Sequence, residues 1–388
     1  IAESSKQVAS EKLLEEVAIK KTDYTEIEKS KPEPKKEPYT DIQIAAAGDI
    51  MFHGPQLKAG YDTVSDSYDF TDMFSEVKPI FEAADLAIAN YETTAGGAEK
   101  GFTGYPAFNS PDETIDAIKD AGIDVVTTVN NHSLDTGRDG LERTVKIMRE
   151  KELPSVGTYD KKPTSRVYMH AVEEIDVAIL AYTEMVNPVG IDFSAREMNE
   201  MLNLMDEQTI KEDVAEAKEL GAELIISFMH WGEEYVEKPN DRQIEFAEMM
   251  AAEGVDIILG SHPHVIQKSD FIVEKEQTTF VIYSMGNFIS NQREETLGKN
   301  RKITDDGVIV QLDVRKDKIQ NEISIEDVSY IPTWVYRNQE QGESTFTYKV
   351  LPIEDTINDS IVTDAFKQRM NRSLEATSEK MAPYDFIE

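Results

Sequence analysis

The sequence predicts an α/β fold in which a largely parallel sheet is covered by helices. Three observations carry that expectation. From Ala222 to Gln267 the chain reads as a buried strand, an amphipathic helix and a second buried strand, the order that builds parallel sheets. The order recurs earlier, where Ser110-Pro111-Asp112-Glu113 has the pattern of a capping box, Gly122 stops the helix and the apolar run Ile123 to Val129 follows. Hydrophobic residues make up 40% of the 388-residue chain, enough to bury a core in one large domain or two smaller ones.

In chain order, residues 1–40 read as a tail dominated by Lys, Glu, Ser and Thr. The run Lys31-Pro32-Glu33-Pro34-Lys35-Lys36-Glu37-Pro38 suits neither a helix nor a sheet interior, because proline removes backbone donors and fixes φ. The segment fits an extended stalk or a terminus without a role. Residues 41–345 are expected to form the main domain, and 346–388 a C-terminal extension in which Thr363 to Lys380 is a surface helix. Within the domain, Ile42 to Ala47 reads as a small-residue strand stopping at Gly48-Asp49, Thr71 to Ala83 as one helix, and Asp85 to Asn90 as the next strand. Residues 165–183 read as two strands about a turn at Glu173-Glu174, and 184–205 as a long loop of the kind that often binds or covers a ligand. Thr279 to Ser284 is a further strand, the polar run 290–306 an exposed loop, and Val308 to Asp313 with Ile323 to Ile331 an antiparallel pair that closes the domain.

The formal net charge is −35, so phosphate repulsion argues against nucleic acid as a partner. The absence of cysteine excludes disulfides, thiolate metal ligands and cysteine nucleophiles. No run of about 18 apolar residues occurs.

Of only six histidines, His230, His262 and His264 end the two strands of the Ala222 to Gln267 stretch, and His132 ends another strand. In sheets of this kind ligands sit beyond the carboxyl ends of the strands. Asp49, Asn90, Glu92, Asn131, His132, His230, His262, His264 and Asn287 all lie at or just past such ends, so neighbouring strands would bring them together. Carboxylate, amide oxygen and imidazole are ligands for Zn, Mn or Fe. One such cluster can hold two ions bridged by a carboxylate. Each short motif also has a plain structural reading as a turn or a packed histidine. Ser261-His262-Pro263-His264 is the strongest, because two imidazoles leave a strand together on a proline-stiffened turn. His170 lies in the hairpin and reads as structural, whereas His53 fits either the site or packing.

Six motifs in order, Gly48-Asp49-Ile50-Met51, Asn90-Tyr91-Glu92, Asn130-Asn131-His132-Ser133-Leu134-Asp135-Thr136-Gly137, His230-Trp231-Gly232-Glu233-Glu234-Tyr235, Gly260-Ser261-His262-Pro263-His264 and Ser284-Met285-Gly286-Asn287-Phe288, resemble those of the CapA-type capsule-synthesis proteins associated with poly-γ-glutamate. That family is in turn similar to calcineurin-like metallophosphatases. The resemblance implies a four-layer αββα sandwich and a centre for two divalent ions. By this resemblance Asp49, Glu92, Asn131, His230, His262 and His264 are metal residues, with Glu92 in the bridging position. His132 is the histidine that serves the leaving group, with Asp135 as its partner. Asn90, Asn130, Tyr235 and Asn287 stand beside them as substrate-binding candidates. Two departures stand out: Met51 replaces a metal histidine, and Glu92 replaces a shorter aspartate. They leave the first ion position open: weakly held, completed by His53, or lost.

The resemblance implies a cell-envelope protein of poly-γ-glutamate synthesis or export. Its expected partners are that polymer or another envelope polymer, and membrane-bound capsule-synthesis subunits. Because the chain opens at Ile1 rather than methionine, a removed N-terminal signal or anchor and an extracytoplasmic location are expected. A metal-dependent hydrolase or transferase, a non-catalytic polymer-binding subunit, and a general phosphodiesterase or nucleotidase are the three functions left in competition.

Overall fold

The computed structural model describes residues 38–187, 194–274, 277–299 and 303–381; the expected tail, residues 1–40, falls almost entirely outside them. Two mixed sheets form the centre. The first runs, in spatial order, Thr347–Pro352, Glu322–Asn338, Asp306–Asp317, Tyr39–Ile50, Leu86–Tyr91, Val125–Thr127 and Ser155–Val156, with Asn287–Ile289 pairing alongside Tyr39–Ile50. The second runs Ser269–Glu274, Gln277–Ile282, Ile257–Ser261, Leu224–His230, Ile175–Thr183 and Tyr168–Val172. In each sheet the four strands joined by helical or long crossovers are parallel, and antiparallel strands add on at the edges.

The period-two alternation of the strands sets the layers. Ile42, Ile44 and Ala46 face a core shared with Val177, Ile179, Leu224, Ile226, Ile257 and Leu259 of the second sheet. Ala45 and Ala47 point the other way, against Phe81, Ile115, Ile118 and Met148 of the helices Lys78–Ala83, Glu113–Asp120 and Gly137–Glu150. On the outer face of the second sheet, Ala178, Leu180 and Ile258 meet Ile210, Val214, Ala217 and Met250 of the helices Glu207–Glu219 and Asp241–Glu253. The result is the expected αββα sandwich. A single parallel sheet, the expectation from strand order alone, becomes two, because buried strands read alike whichever sheet they join.

Several local expectations change. Thr71 to Ala83 is not one helix but a short 3-10 turn, Thr71–Phe74, followed by the helix Lys78–Ala83; Pro79 lacks the N–H that a continuous helix needs and suits the first turn of a new one. The capping box at Ser110 does not form. Ser110 Oγ bonds Thr93, and the carboxylate of Asp112 is held by both terminal nitrogens of Arg143 at 2.7 Å. The stretch 184–205 carries the helix Ala195–Met201, capped by Ser194. Its residues 188–193 lie outside the described residues. The sheet continues past residue 345, since Thr347–Pro352 buries Tyr348 and Val350 and so has a core face of its own. The polar run 290–306 is exposed only in part: Glu295 to Lys299 are exposed, whereas Ser290, Arg293, Thr304, Asp305 and Asp306 are buried, for reasons taken up below. Among the described residues no helix is long and apolar enough to cross a membrane.

Leu259 sits in the inter-sheet core with no exposure. Leu259→Ala is expected to lower unfolding stability by about 2–5 kcal/mol in urea denaturation, because close packing leaves the cavity only partly relaxed.

Candidate metal centre

The site lies at one rim of the sandwich, where strand ends of both sheets meet. Two glycines permit the approach. A Cβ on Gly48 would lie 2.0 Å from the Gly286 carbonyl oxygen, and one on Gly260 would lie 2.0 Å from that of Tyr283. The register of Tyr39–Ile50 against Leu86–Tyr91 shifts between Ala47 and Asp49. Such a bulge re-aims side chains near sites. Asp49 therefore belongs to the strand instead of following its end.

Asp49 is fully buried. Asn90 Nδ2 donates to its Oδ1 at 2.7 Å, His262 N donates to its Oδ2 at 3.2 Å, and His264 Nδ1 lies 3.3 Å from Oδ2. Burial alone would raise its pKa. The hydrogen bond from His264 and the charges of His264 and His230 outweigh it and hold the carboxyl well below the usual range. Glu92, also fully buried, behaves oppositely: burial first, then the Asp49 charge, push its pKa well above the ordinary value. Neither Glu92 oxygen has a hydrogen-bond partner. Two nearby carboxylates in a dry site thus shift in opposite directions.

Imidazoles complete the centre. Nε2 of His230 lies 3.7 Å from Glu92 Oε1 and 3.0 Å from Asn131 Oδ1, and its Nδ1 lies 3.0 Å from Ser261 Oγ. Nε2 of His264 lies 3.8 Å from the same Glu92 oxygen. His264 Nδ1 faces two acceptors, Asp49 Oδ2 and Asn287 Oδ1 at 3.1 Å. Nδ1 therefore carries a proton, and Nε2 is the nitrogen turned toward Glu92. His262 Nδ1 is buried without a partner. Burial, reinforced by the charge of His264, pushes the His262 pKa down to about 3, and burial likewise holds His230 well below its usual value. Both are neutral rings with lone pairs to give. His262 and His264 adopt φ of 95° and 56°, uncommon for residues with a side chain and typical of sites where surrounding structure enforces them.

Two groups of ligand atoms lie within 4.8 Å of one another: Glu92, His262 and His264, and Asp49, Glu92 and His230. Glu92 is common to both. Orphaned carboxylate oxygens, an orphaned imidazole nitrogen and neutral rings together fit divalent cations, whose charge would let both carboxylates ionise. Met51 and His53 belong to neither group. The His53 Nδ1 accepts the N–H of Asn291 at 3.3 Å, and its ring meets Phe108 edge-on at 5.0 Å.

Beside this centre, His132 Nδ1 lies 2.7 Å from Asp135 Oδ2, which also accepts Phe108 N at 2.6 Å. The carboxylate fixes the proton on Nδ1 and leaves Nε2 for exchange. Phe108, which no sequence signal marked, packs edge-on against His132 at 4.7 Å. The other expected residues divide. Asn90, Asn130 and Asn287 are buried, and their amides serve protein groups: Asn90 bonds Asp49, Asn130 bonds the Tyr91 carbonyl at 2.9 Å, and Asn287 bonds the Thr304 carbonyl at 2.8 Å. Asn287 also opens its own short strand instead of ending one. Tyr235 is half-buried, its ring 6.0 Å from that of His264. His170 is in the hairpin strand Tyr168–Val172, remote from this rim.

With this geometry in hand, comparison with known proteins is decisive for the family. The model described as bacterial capsule synthesis protein PGA_cap matches residues 43–292. The chain belongs to that family. It is 29% identical over 290 residues to the PGA biosynthesis protein CapA of Bacillus subtilis (strain 168), covering 73% of this chain and 71% of that one. It is 30% identical over 283 residues to the capsule biosynthesis protein CapA of Bacillus anthracis, covering 71% of this chain and 64%, under two thirds, of that one. Among solved structures, the calcineurin-like phosphoesterase YfkN from Bacillus subtilis aligns with a TM-score of 0.43 and 14% identity, covering 88% of this chain and 98% of that one. The family match spans every metal candidate from Asp49 to His264 and stops short of Thr304.

In chelator at neutral pH, Glu92→Met is expected to raise unfolding stability by about 1–3 kcal/mol in urea denaturation, because it replaces a buried carboxyl that has no donor with an apolar side chain of similar length. A midpoint equal to or below that of the native chain would show that Glu92 is not buried unpaired.

Proposed function

We propose that this protein is a metal-dependent hydrolase or transferase of bacterial capsule biosynthesis, acting on poly-γ-glutamate or another envelope polymer outside the cytoplasm. The observation that carries the reading is the pair of carboxylate–imidazole groups sharing Glu92 beside the His132–Asp135 pair. The names of the two CapA relatives support the biological setting.

Asp49, Glu92, His230, His262 and His264 would hold the ions, and Asn131 Oδ1, 3.0 Å from His230 Nε2, completes the ligand set. Divalent ions bound there would polarise an amide or phosphoryl centre and lower the pKa of water. The protein's own groups do the rest. Ser261 Oγ, 3.0 Å from His230 Nδ1, fixes the ring so that Nε2 is directed inward toward Glu92 and Asn131. Asp135 keeps the Nδ1 proton of His132 in place, so that Nε2 would take a proton from the attacking group and return it to the leaving group. Tyr235, half-buried at the rim, faces the arriving substrate.

A scaffold without chemistry is the reading that Met51 favours, since an apolar side chain stands where a ligand is expected, buried at 1% exposure. The two separate by experiment. Purified chain would be loaded with Mn²⁺ or Zn²⁺ and given poly-γ-glutamate and aryl phosphate mono- and diesters. Metal-dependent cleavage or transfer is expected, with His132→Ala lowering turnover by about 10²–10⁴-fold while ion content is retained, and His264→Ala losing ion and turnover together. Ion uptake without turnover on any of these would favour the scaffold. Cleavage of aryl phosphates alone would favour a general phosphodiesterase.

A further inference from the structure

We propose that the C-terminal helix Asp364–Ser378 is a positioning element of the metal centre, holding the His264 loop from two sides through Arg369 and Lys380. The proposal rests on the metal-binding reading above and adds residues beyond the stretch that the family match covers.

The first path starts at His264. Its Nδ1–H faces Asn287 Oδ1, and the amide of Asn287 is oriented by donating Nδ2–H to the Thr304 carbonyl. That carbonyl is the nearest of three acceptors for Nδ2, with Gln292 Oε1 at 3.3 Å and the His264 carbonyl at 3.4 Å, and together they turn the amide oxygen toward His264. Thr304 is held through its neighbour. Asp305 is buried; its Oδ2 accepts Trp334 Nε1 at 3.0 Å, is contacted by Arg369 Nη2, and lies 3.4 Å from Arg293 Nη2. Arg369 Nη1 also reaches Glu295 Oε1 at 2.5 Å, and Glu295 Oε2 pairs with Arg293 Nε at 3.0 Å. This network is why Arg293 and Asp305, at the two ends of the run 290–306, are buried. Its counter-charge comes from a helix more than sixty residues further along the chain.

The second path starts just beyond the end of the helix. Lys380 Nζ donates to the carbonyl of Ile266 at 2.9 Å, two residues past His264, and the Lys380 carbonyl accepts Ser269 N at 3.1 Å. The loop that leaves the strand Ile257–Ser261 with φ of 95° at His262 and 56° at His264 is thus tied down on its far side. Strained backbone persists only where surrounding contacts over-determine it. Outer groups that orient a ligand histidine typically change ion affinity by 10–100-fold when removed.

The test measures Mn²⁺ and Zn²⁺ binding to the full chain by titration calorimetry, with far-ultraviolet circular dichroism in chelator to confirm folding. Arg369→Met and Lys380→Met are each expected to weaken binding by about tenfold. Arg369→Lys, which keeps charge near Asp305, should recover part of that loss. Combining Arg369→Met with Asn287→Ala should weaken binding no further than Asn287→Ala alone, a non-additivity that general destabilisation would not produce. If Arg369→Met fails to fold, Lys380→Met decides by the same criterion. Folded variants that bind within twofold of the native chain would overturn the proposal and leave the metal reading intact. A native chain that takes up neither ion would overturn both.

Discussion

Glu92 is the constraint on which the rest of this structure turns. It is a carboxylate buried between two sheets with no donor of its own, next to a second buried carboxylate and among three buried imidazoles. In water these groups would each be solvated. Here the carboxyls shift in opposite directions, Glu92 up through burial and Asp49 down through its imidazole neighbours, and burial holds His230 and His262 below the usual imidazole range. Every feature around the rim serves to hold that arrangement: the bulge that turns Asp49 inward, the glycines that let strand ends approach, and the positive φ at His262 and His264.

Much of the site was legible because its residues end apolar strands, and a strand end is a place that sequence marks well. The run Leu224–His230 is wholly buried and stops at an imidazole, and Ile257–Ser261 stops one residue before another. The convergence of such ends follows from α/β architecture, without knowing strand order. What sequence could not mark was partnership across distance. Buried strands look the same whether they belong to one sheet or two, so the inter-sheet core between Ile44 and Ile226 was invisible. The run 290–306 looked solvated because its charges were counted alone. Arg293 and Asp305 are buried because Trp334 and Arg369 reach them. Phe108 carried no signal, since an aromatic in a polar loop has many uses.

The asparagines show a related effect. Asn90, Asn130 and Asn287 stand in motifs, and motif residues invite functional roles. Their amides instead link ligand residues to backbone carbonyls and to one another. An amide carries both donor and acceptor, so it can satisfy a carboxylate or an imidazole on one side and a carbonyl on the other. That is the property needed to pass orientation from a rigid strand to a ligand side chain. It accounts for asparagine recurring at this rim.

What burial costs bears on whether this rim is built to hold a cation. Replacing buried ionic groups with apolar side chains of similar volume is often neutral or stabilising. A fold kept only as a platform would therefore be at least as stable with hydrocarbon at positions 49, 92, 230, 262 and 264. At one rim position, Met51, hydrocarbon is what the chain has, and it packs without exposure. At the other five the chain keeps carboxylate and imidazole, holds two of the histidines in uncommon backbone conformations, and leaves Glu92 unsatisfied. A cation resolves all three features together, since it is the partner the carboxylates lack and the acceptor of the imidazole lone pairs. Met51 is then read as a loss at one coordination position of a centre that the remaining residues still form.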